Sequence, residues 1–195
     1  MEQRLTRLDP QTYRRTPWKN GGGVTIDIAD AYALGATPGS WSGMLWRLGR
    51  TQIVTPGPFS DLSGFDRILT VIGGQGLVLE IEGGAALDVR APFAPVRFRG
   101  EDRIMSCLEA GPVAVLNLIS DRQHDIDVAI LTGGKHALNA AITIVYALEA
   151  SAVTIDGADH ALAVDAALRR DGAGGEFSVR SGRVALATIS SRSAP

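Results

Sequence analysis

Short alternating runs punctuated by glycine pairs leave this chain little choice but β-structure. VTIDIA (24–29), SGMLWRL (42–48), RILTVI (67–72), GLVLEIE (76–82), AALDV (85–89), DRIMSCLE (102–109) and VAVLNLI (113–119) are β-branched or alternate apolar with polar positions. DIDVAIL (125–131), AITIVYALE (141–149), AVTID (152–156), LAVDAAL (162–168), EFSVR (176–180) and RVALATIS (183–190) continue the series. Gly73-Gly74, Gly83-Gly84, Gly133-Gly134, Asp156-Gly157, Asp171-Gly172 and Ser181-Gly182 fall between them as turns. Helical periodicity is nearly absent. About a dozen strands at near-regular spacing predict an all-β antiparallel sandwich or barrel. The polar stretch SDRQHD (120–125) interrupts the pattern, and it divides the single 195-residue domain into a unit over 1–120 and a plainer one over 121–195.

The two parts differ in chemistry. Nine of the eleven aromatic residues, all three tryptophans among them, precede residue 99, and every proline but Pro195 lies at or before Pro112. The first part is therefore expected to carry a site and the second to support it. The formal charge of -2 provides no basic field for a phosphate backbone, which argues against nucleic acid. No apolar run reaches the roughly 20 residues that cross a bilayer, and MEQRLTRLDPQTYRR lacks a signal-type apolar stretch, so the expected location is cytoplasmic, away from membranes. Cys107, the only cysteine, excludes an internal disulfide and a thiolate cluster, and within RIMSCLEA it reads as a structural thiol. His124, His136 and His160 are far apart and lie outside the aromatic part, so they read as structural, with no metal expected. GxGxxG, GxxxxGK[ST], HExxH and GxSxG are all missing, and no cofactor is expected.

Candidate chemistry gathers in three segments. In WKNGGGVTIDIAD (18–30), the glycines allow close backbone approach and their amides can form an anion-binding concavity. Lys19, one of two lysines against seventeen arginines, adds a charge there and Asn20 a donor–acceptor pair. The competing reading is a glycine bulge that lets the chain cross a barrel rim. Beyond it, Thr25 and Asp27 share one strand face. In WSGMLWRL, alternation puts Met44, Trp46 and Leu48 on one face and Arg47 with Leu45 on the other; such an arginine marks a surface face or a bidentate carboxylate clamp. TPGPFSDLSGFDR reads as a packed loop anchored by Phe59 and Phe65, leading to the strand that starts at Arg67.

Taken in order, WKNGGGVT, WRL, GPFSDLSGFDR, FRGE (98–101) and LNLISDR (116–122) resemble the HutD/Ves family of bacterial cupin-like proteins. The likeness runs along the whole chain, its specific motifs lying between about Trp18 and Arg122. Asp27 stands where the family commonly has Glu, and Val115-Leu116 where it commonly has Asp-Phe before the asparagine matching Asn117, so no role is carried to position 115. The resemblance implies a double-stranded β-helix with two cupin-like units in a bicupin arrangement. It implies a link to histidine catabolism through binding of a small pathway acid such as urocanate or a formylated or formiminated glutamate, and it brings no established reaction. Metal-dependent cupins use several histidines, and residues 1–120 contain none, so the pocket is expected to be metal-free.

The leading reading is thus a small-molecule-binding protein. Lys19, Arg47 and Arg67 would meet an anionic metabolite, and Asn20, Thr25, Ser60 and Asn117 would make neutral hydrogen bonds. Trp18, Trp46 and Phe59 would form walls, and Gly21, Gly22 and Gly23 would supply amides. The alternative is a metal-free isomerase or hydrolase acting on a similar acid, with Lys19 or Asp27 moving a proton. Since the sequence shows no nucleophile–base pair, no catalytic residue is assigned. A third reading is an interaction protein whose aromatic half forms a homodimer face.

Overall fold

A computed structural model describes residues 3–19 and 21–192, and its regular elements are strands apart from one turn of 3-10 helix at Pro10–Thr12. The chain is all-β, as its alternation requires. After β1 (Arg4–Leu8) come β2 (Arg14–Pro17), β3 (Val24–Tyr32), β4 (Met44–Ile53), β5 (Gly57–Pro58) and β6 (Phe65–Gly73). Then follow β7 (Leu77–Ile81), β8 (Leu87–Asp88), β9 (Val96–Arg99), β10 (Ile104–Leu108) and β11 (Val113–Asp121). The remainder are β12 (His124–Leu131), β13 (Gly134–Ala137), β14 (Ile142–Ala147), β15 (Ser151–Ile155), β16 (Ala158–Leu162), β17 (Ala167–Asp171), β18 (Glu176–Ser181) and β19 (Val184–Ser191).

Contacts divide the chain into two compact units, Arg14–Gln123 and Met1–Tyr13 together with His124–Pro195. The first, aromatic-rich unit has a six-stranded antiparallel sheet in the order β2-β3-β4-β11-β6-β9 and a four-stranded one, β5-β10-β7-β8. Because side chains alternate between faces, every second residue of the large sheet meets the small one. Ile53, Leu69, Val71, Val113 and Val115 pack with Leu77, Leu79, Val89 and Ile104 as one core. The other, terminal unit pairs a five-stranded sheet, β1-β17-β14-β19-β12, with a four-stranded one, β13-β18-β15-β16. Its core holds Val145, Val153, Ile155, Leu162, Leu168, Phe177 and Val184.

One strand expectation fails. LAVDAAL (162–168) is a corner, not a strand: β16 ends at Leu162, Asp165 adopts φ 69° and Ala166 N–H donates to the Ala163 carbonyl at 3.1 Å before β17 begins. A left-handed Asp is a turn device that alternation does not register. SGMLWRL begins its strand only at Met44, after Gly43 at φ 73°. The arginine-rich β1 and β2 pass unnoticed in the sequence because neither alternates.

Candidate functional site

Antiparallel register writes the site across the large sheet of the aromatic-rich unit. Asp30 of β3 stands opposite Arg47 of β4, Arg47 opposite Ile119 of β11, Ile119 opposite Arg67 of β6, and Arg67 opposite Phe98 of β9. Two residues along, the next row on the same face reads Asp27, Gly49, Asn117, Leu69, Val96, and a third reads Thr25, Thr51, Val115, Val71. Two strand spacings put the Arg47 and Arg67 backbones about 10 Å apart, so both guanidinium groups can turn into the hollow above Ile119.

That hollow is a cavity of about 50 Å³ lined by Trp18, Thr25, Trp41, Arg47, Thr51, Ile53, Phe59, Ser60, Leu62, Arg67, Val115, Asn117 and Ile119. Its two arginines are held differently. Arg47 lies under Trp41, 4.2 Å from the ring centroid, with its Nε 3.6 Å from Asp27 Oδ1. Asp27 Oδ2 in turn accepts from Thr16 Oγ1 at 2.6 Å and Arg14 Nη2 at 2.9 Å, and Arg14 also bonds Asp30. Gly49 makes this network possible, since a Cβ there would stand 2.4 Å from the Thr25 methyl and against the carboxylate of Asp27. The network joins two arginines to two aspartates and is neutral as a whole. Burial lowers the Arg47 pKa, Asp27 opposing it.

Arg67 has no such partner. It is 7% exposed, and among the described residues no carboxylate forms an ion pair with it. Its guanidinium carbon lies 5.0 Å from the Phe59 ring centroid and 4.8 Å from that of Phe98. The Asn117 amide satisfies its neighbours in one orientation only: its oxygen accepts from Arg67 Nη2 at 2.9 Å and its nitrogen donates to the Ile68 carbonyl at 3.3 Å. Arg67 Nε is buried with no hydrogen-bond partner. Desolvation, helped by the charge of Arg47, lowers the Arg67 pKa to about 9, which leaves it cationic at neutral pH.

Of the residues expected from sequence, Trp18, Thr25, Arg47, Phe59, Ser60, Arg67 and Asn117 line the cavity. Trp46 does not: it is 1% exposed on the opposite face of β4, one residue out of phase with Arg47. Lys19 is exposed, and its Nζ donates to the Asp61 carbonyl at 3.0 Å, so the expected convergence of three cations reduces to two. Asn20 lies outside the described residues. Gly21, Gly22 and Gly23 do not reach the cavity; they build the β2–β3 turn, where Gly21 N–H donates to the Trp18 carbonyl at 3.0 Å and Trp18 N–H to the Gly23 carbonyl at 2.9 Å. Gly21 has φ 72°, and a Cβ on Gly23 would touch the Trp18 indole at 3.0 Å. The glycine run therefore seats Trp18, whose Nε1 donates to Thr25 Oγ1 at 3.1 Å.

Sequence reasoning missed Trp41, Thr51, Ile53, Leu62, Val115 and Ile119 as wall residues. Four of them follow from period 2 once Arg47 and Asn117 are taken as inward: Thr51 and Ile53 on β4, Val115 and Ile119 on β11. Trp41 and Leu62 lie in loops, where no period helps. Among the described residues no group of three or more His, Cys, Asp or Glu is placed to hold a metal ion, and no helix is long and apolar enough to cross a membrane. Cys107 is half-buried, and desolvation and Glu80 raise its pKa, as suits a structural thiol.

The HutD family model matches residues 10–186. A 21.2 kDa protein from the hutC 3′ region of Pseudomonas putida is 36% identical over 115 residues, which are 59% of this chain and 57% of that protein. The chain thus matches little more than half the length of that curated relative. A protein of unknown function from Pseudomonas aeruginosa PAO1 superposes with a TM-score of 0.84 at 25% identity, covering 96% of this chain and all (100%) of that one. HutD from Pseudomonas fluorescens SBW25 superposes at 0.81 with 29% identity, covering 97% and 100%. The all-β form is cupin-like.

Proposed function

The chain belongs to the HutD family, and on that premise we propose that its cavity holds the carboxylate of a small organic acid. In this reading the protein is a cytoplasmic metabolite-binding module that moderates histidine catabolism by sequestering or sensing a pathway acid of the urocanate or formyl- or formimino-glutamate type. Each of its two units would be one double-stranded β-helix of a bicupin, with the site in the aromatic-rich one.

The observation that carries this is Arg67. A cation taken from water without a counter-charge costs several kcal/mol, about, and a fold retains one where an anion completes it. Arg47, already neutralised through Asp27, would add a directional donor, and Asn117, Thr25 and Ser60 would complete the polar ring around the carboxylate. The alternative of a metal-free isomerase or hydrolase has less behind it. Asp27 Oδ2 is committed to Thr16 and Arg14, its Oδ1 faces Arg47 Nε at 3.6 Å in an ion pair without a hydrogen bond, and Lys19 is exposed. Calorimetric titration of the protein with acetate and the histidine-pathway acids tests the reading. Saturable one-to-one binding in the micromolar to millimolar range is expected, and no heat from any carboxylate sinks it.

A further inference from the structure

The cavity beside Arg67 encloses about 50 Å³. One water needs roughly 10–15 Å³ by this measure, so a carboxylate fits and little else does. Metabolite sites commonly start near about 300 Å³. Three of the cavity walls, Trp18, Ile53 and Phe59, also face a second, partly open hollow of about 290 Å³, lined elsewhere by Gly22, Ser106 and residues 54–58. These three side chains are a common wall between two spaces. Ile53 is fixed as a buried residue of β4, and Phe59 packs on Phe98 with ring centroids 6.1 Å apart. Trp18 is half-buried, sits on the glycine turn, and holds Thr25 by a single side-chain hydrogen bond.

The outer hollow has a distinct chemistry. None of the residues lining it is ionisable. The Ser106 hydroxyl is already engaged with Gly57, accepting from its N–H at 3.2 Å and donating to its carbonyl at 2.9 Å. A charged group placed there would lose part of its water and gain no counter-ion. Resting on the carboxylate reading above, we infer that the outer hollow is the second half of the same site. It takes the uncharged, flat remainder of a monocarboxylic acid whose carboxylate lies at Arg67, and Trp18 is the part of the wall that yields to let the two spaces join.

Calorimetric titration of the full chain with acetate, cinnamate and glutarate, at one pH and ionic strength, tests this. Cinnamate should bind about tenfold tighter than acetate or more, because its ring buries apolar area in the hollow, and glutarate should bind no tighter than acetate. Gly57→Leu fills the hollow away from Arg67, and a Cβ at position 57 meets no atom within 4 Å, so the fold should accept it. The variant should lower cinnamate affinity about tenfold while acetate stays within about twofold. Acetate binding with no gain from the ring overturns this inference and leaves the carboxylate reading standing, whereas silence from all three acids overturns both. Preference for glutarate, or a Gly57→Leu variant that affects both acids equally or neither, also overturns the second half-site.

Discussion

Both units of this protein bury arginine, and Arg170 and Arg67 are treated in opposite ways. Arg170, in the terminal unit, is 2% exposed, and every arm of its guanidinium is used: Nε donates to Asp156 Oδ2 at 2.7 Å, Nη1 to the Gly172 carbonyl and Nη2 to the Gly174 carbonyl. It pins a glycine-rich turn to the sheet. Arg67, in the aromatic-rich unit, has two aromatic neighbours and one amide oxygen, a bare Nε, and no carboxylate among the described residues. The first arginine is a finished strut; the second is half of an interaction. Burial alone would not separate them, but the inventory of hydrogen-bond partners does.

The contrast can be broken most directly at Arg170. Arg170→Met takes a donor from the Gly172 and Gly174 carbonyls and from the exposed carboxylate of Asp156, so urea unfolding should show a loss of about 2–4 kcal/mol; a loss below about 1 kcal/mol would make Arg170 dispensable and void the comparison. Arg67→Met should go the other way. With an uncompensated charge replaced by a side chain of similar length, the ligand-free protein should gain roughly 1–4 kcal/mol in the same measurement, while carboxylate binding disappears from the calorimeter. A destabilised Arg67→Met would mean that the cation is already satisfied in the fold.

The pH dependence sharpens the same point. The Arg67 pKa is lowered to about 9 in the folded chain. Above that value the unfolded chain binds the proton more firmly than the folded one, so fold stability gains with rising pH there while anion binding, which needs the cation, is lost. Acid affinity should be level through neutral pH and fall about tenfold per unit above about 9; affinity unchanged to pH 10.5, roughly, would refute a depressed Arg67. The smallest effect is expected at Lys19. Lys19→Ala removes an exposed contact to the Asp61 carbonyl and should move affinity by less than about 0.5 kcal/mol, so a larger loss would return Lys19 to the site.

Much of this was legible in the residues. Period 2 alone places Thr25 and Asp27, Arg47 and Thr51, Val115 and Asn117 on common faces of their strands, and the all-β architecture follows from the same alternation. What alternation does not contain is register: that Arg47 and Arg67 flank Ile119 is a fact about three strands separated by long stretches of chain. Trp46 shows how composition misleads, because its own strand phase already set it opposite Arg47, yet an aromatic residue in an apparent site segment looks like a wall. The triple glycine misleads in another manner. Its sequence suggests amides for a ligand, whereas its geometry serves the indole of Trp18, a relation fixed by the turn and visible only in three dimensions.

The first strand has a bearing on how the chain is made. β1 pairs with β17, Arg4 facing Asp171 and Leu8 facing Ala167, and the whole aromatic-rich unit is synthesised between the two partners. On a ribosome that adds about 5–20 residues per second, residues 14–123 can emerge and close their own sheets while β1 still has nothing to pair with. The terminal unit can complete only after β17 has emerged, so β1 must wait unpaired for roughly ten seconds or more. Its sequence, RLTRL, places two cations in five residues, the kind of charge that keeps a waiting edge strand from recruiting the wrong neighbour.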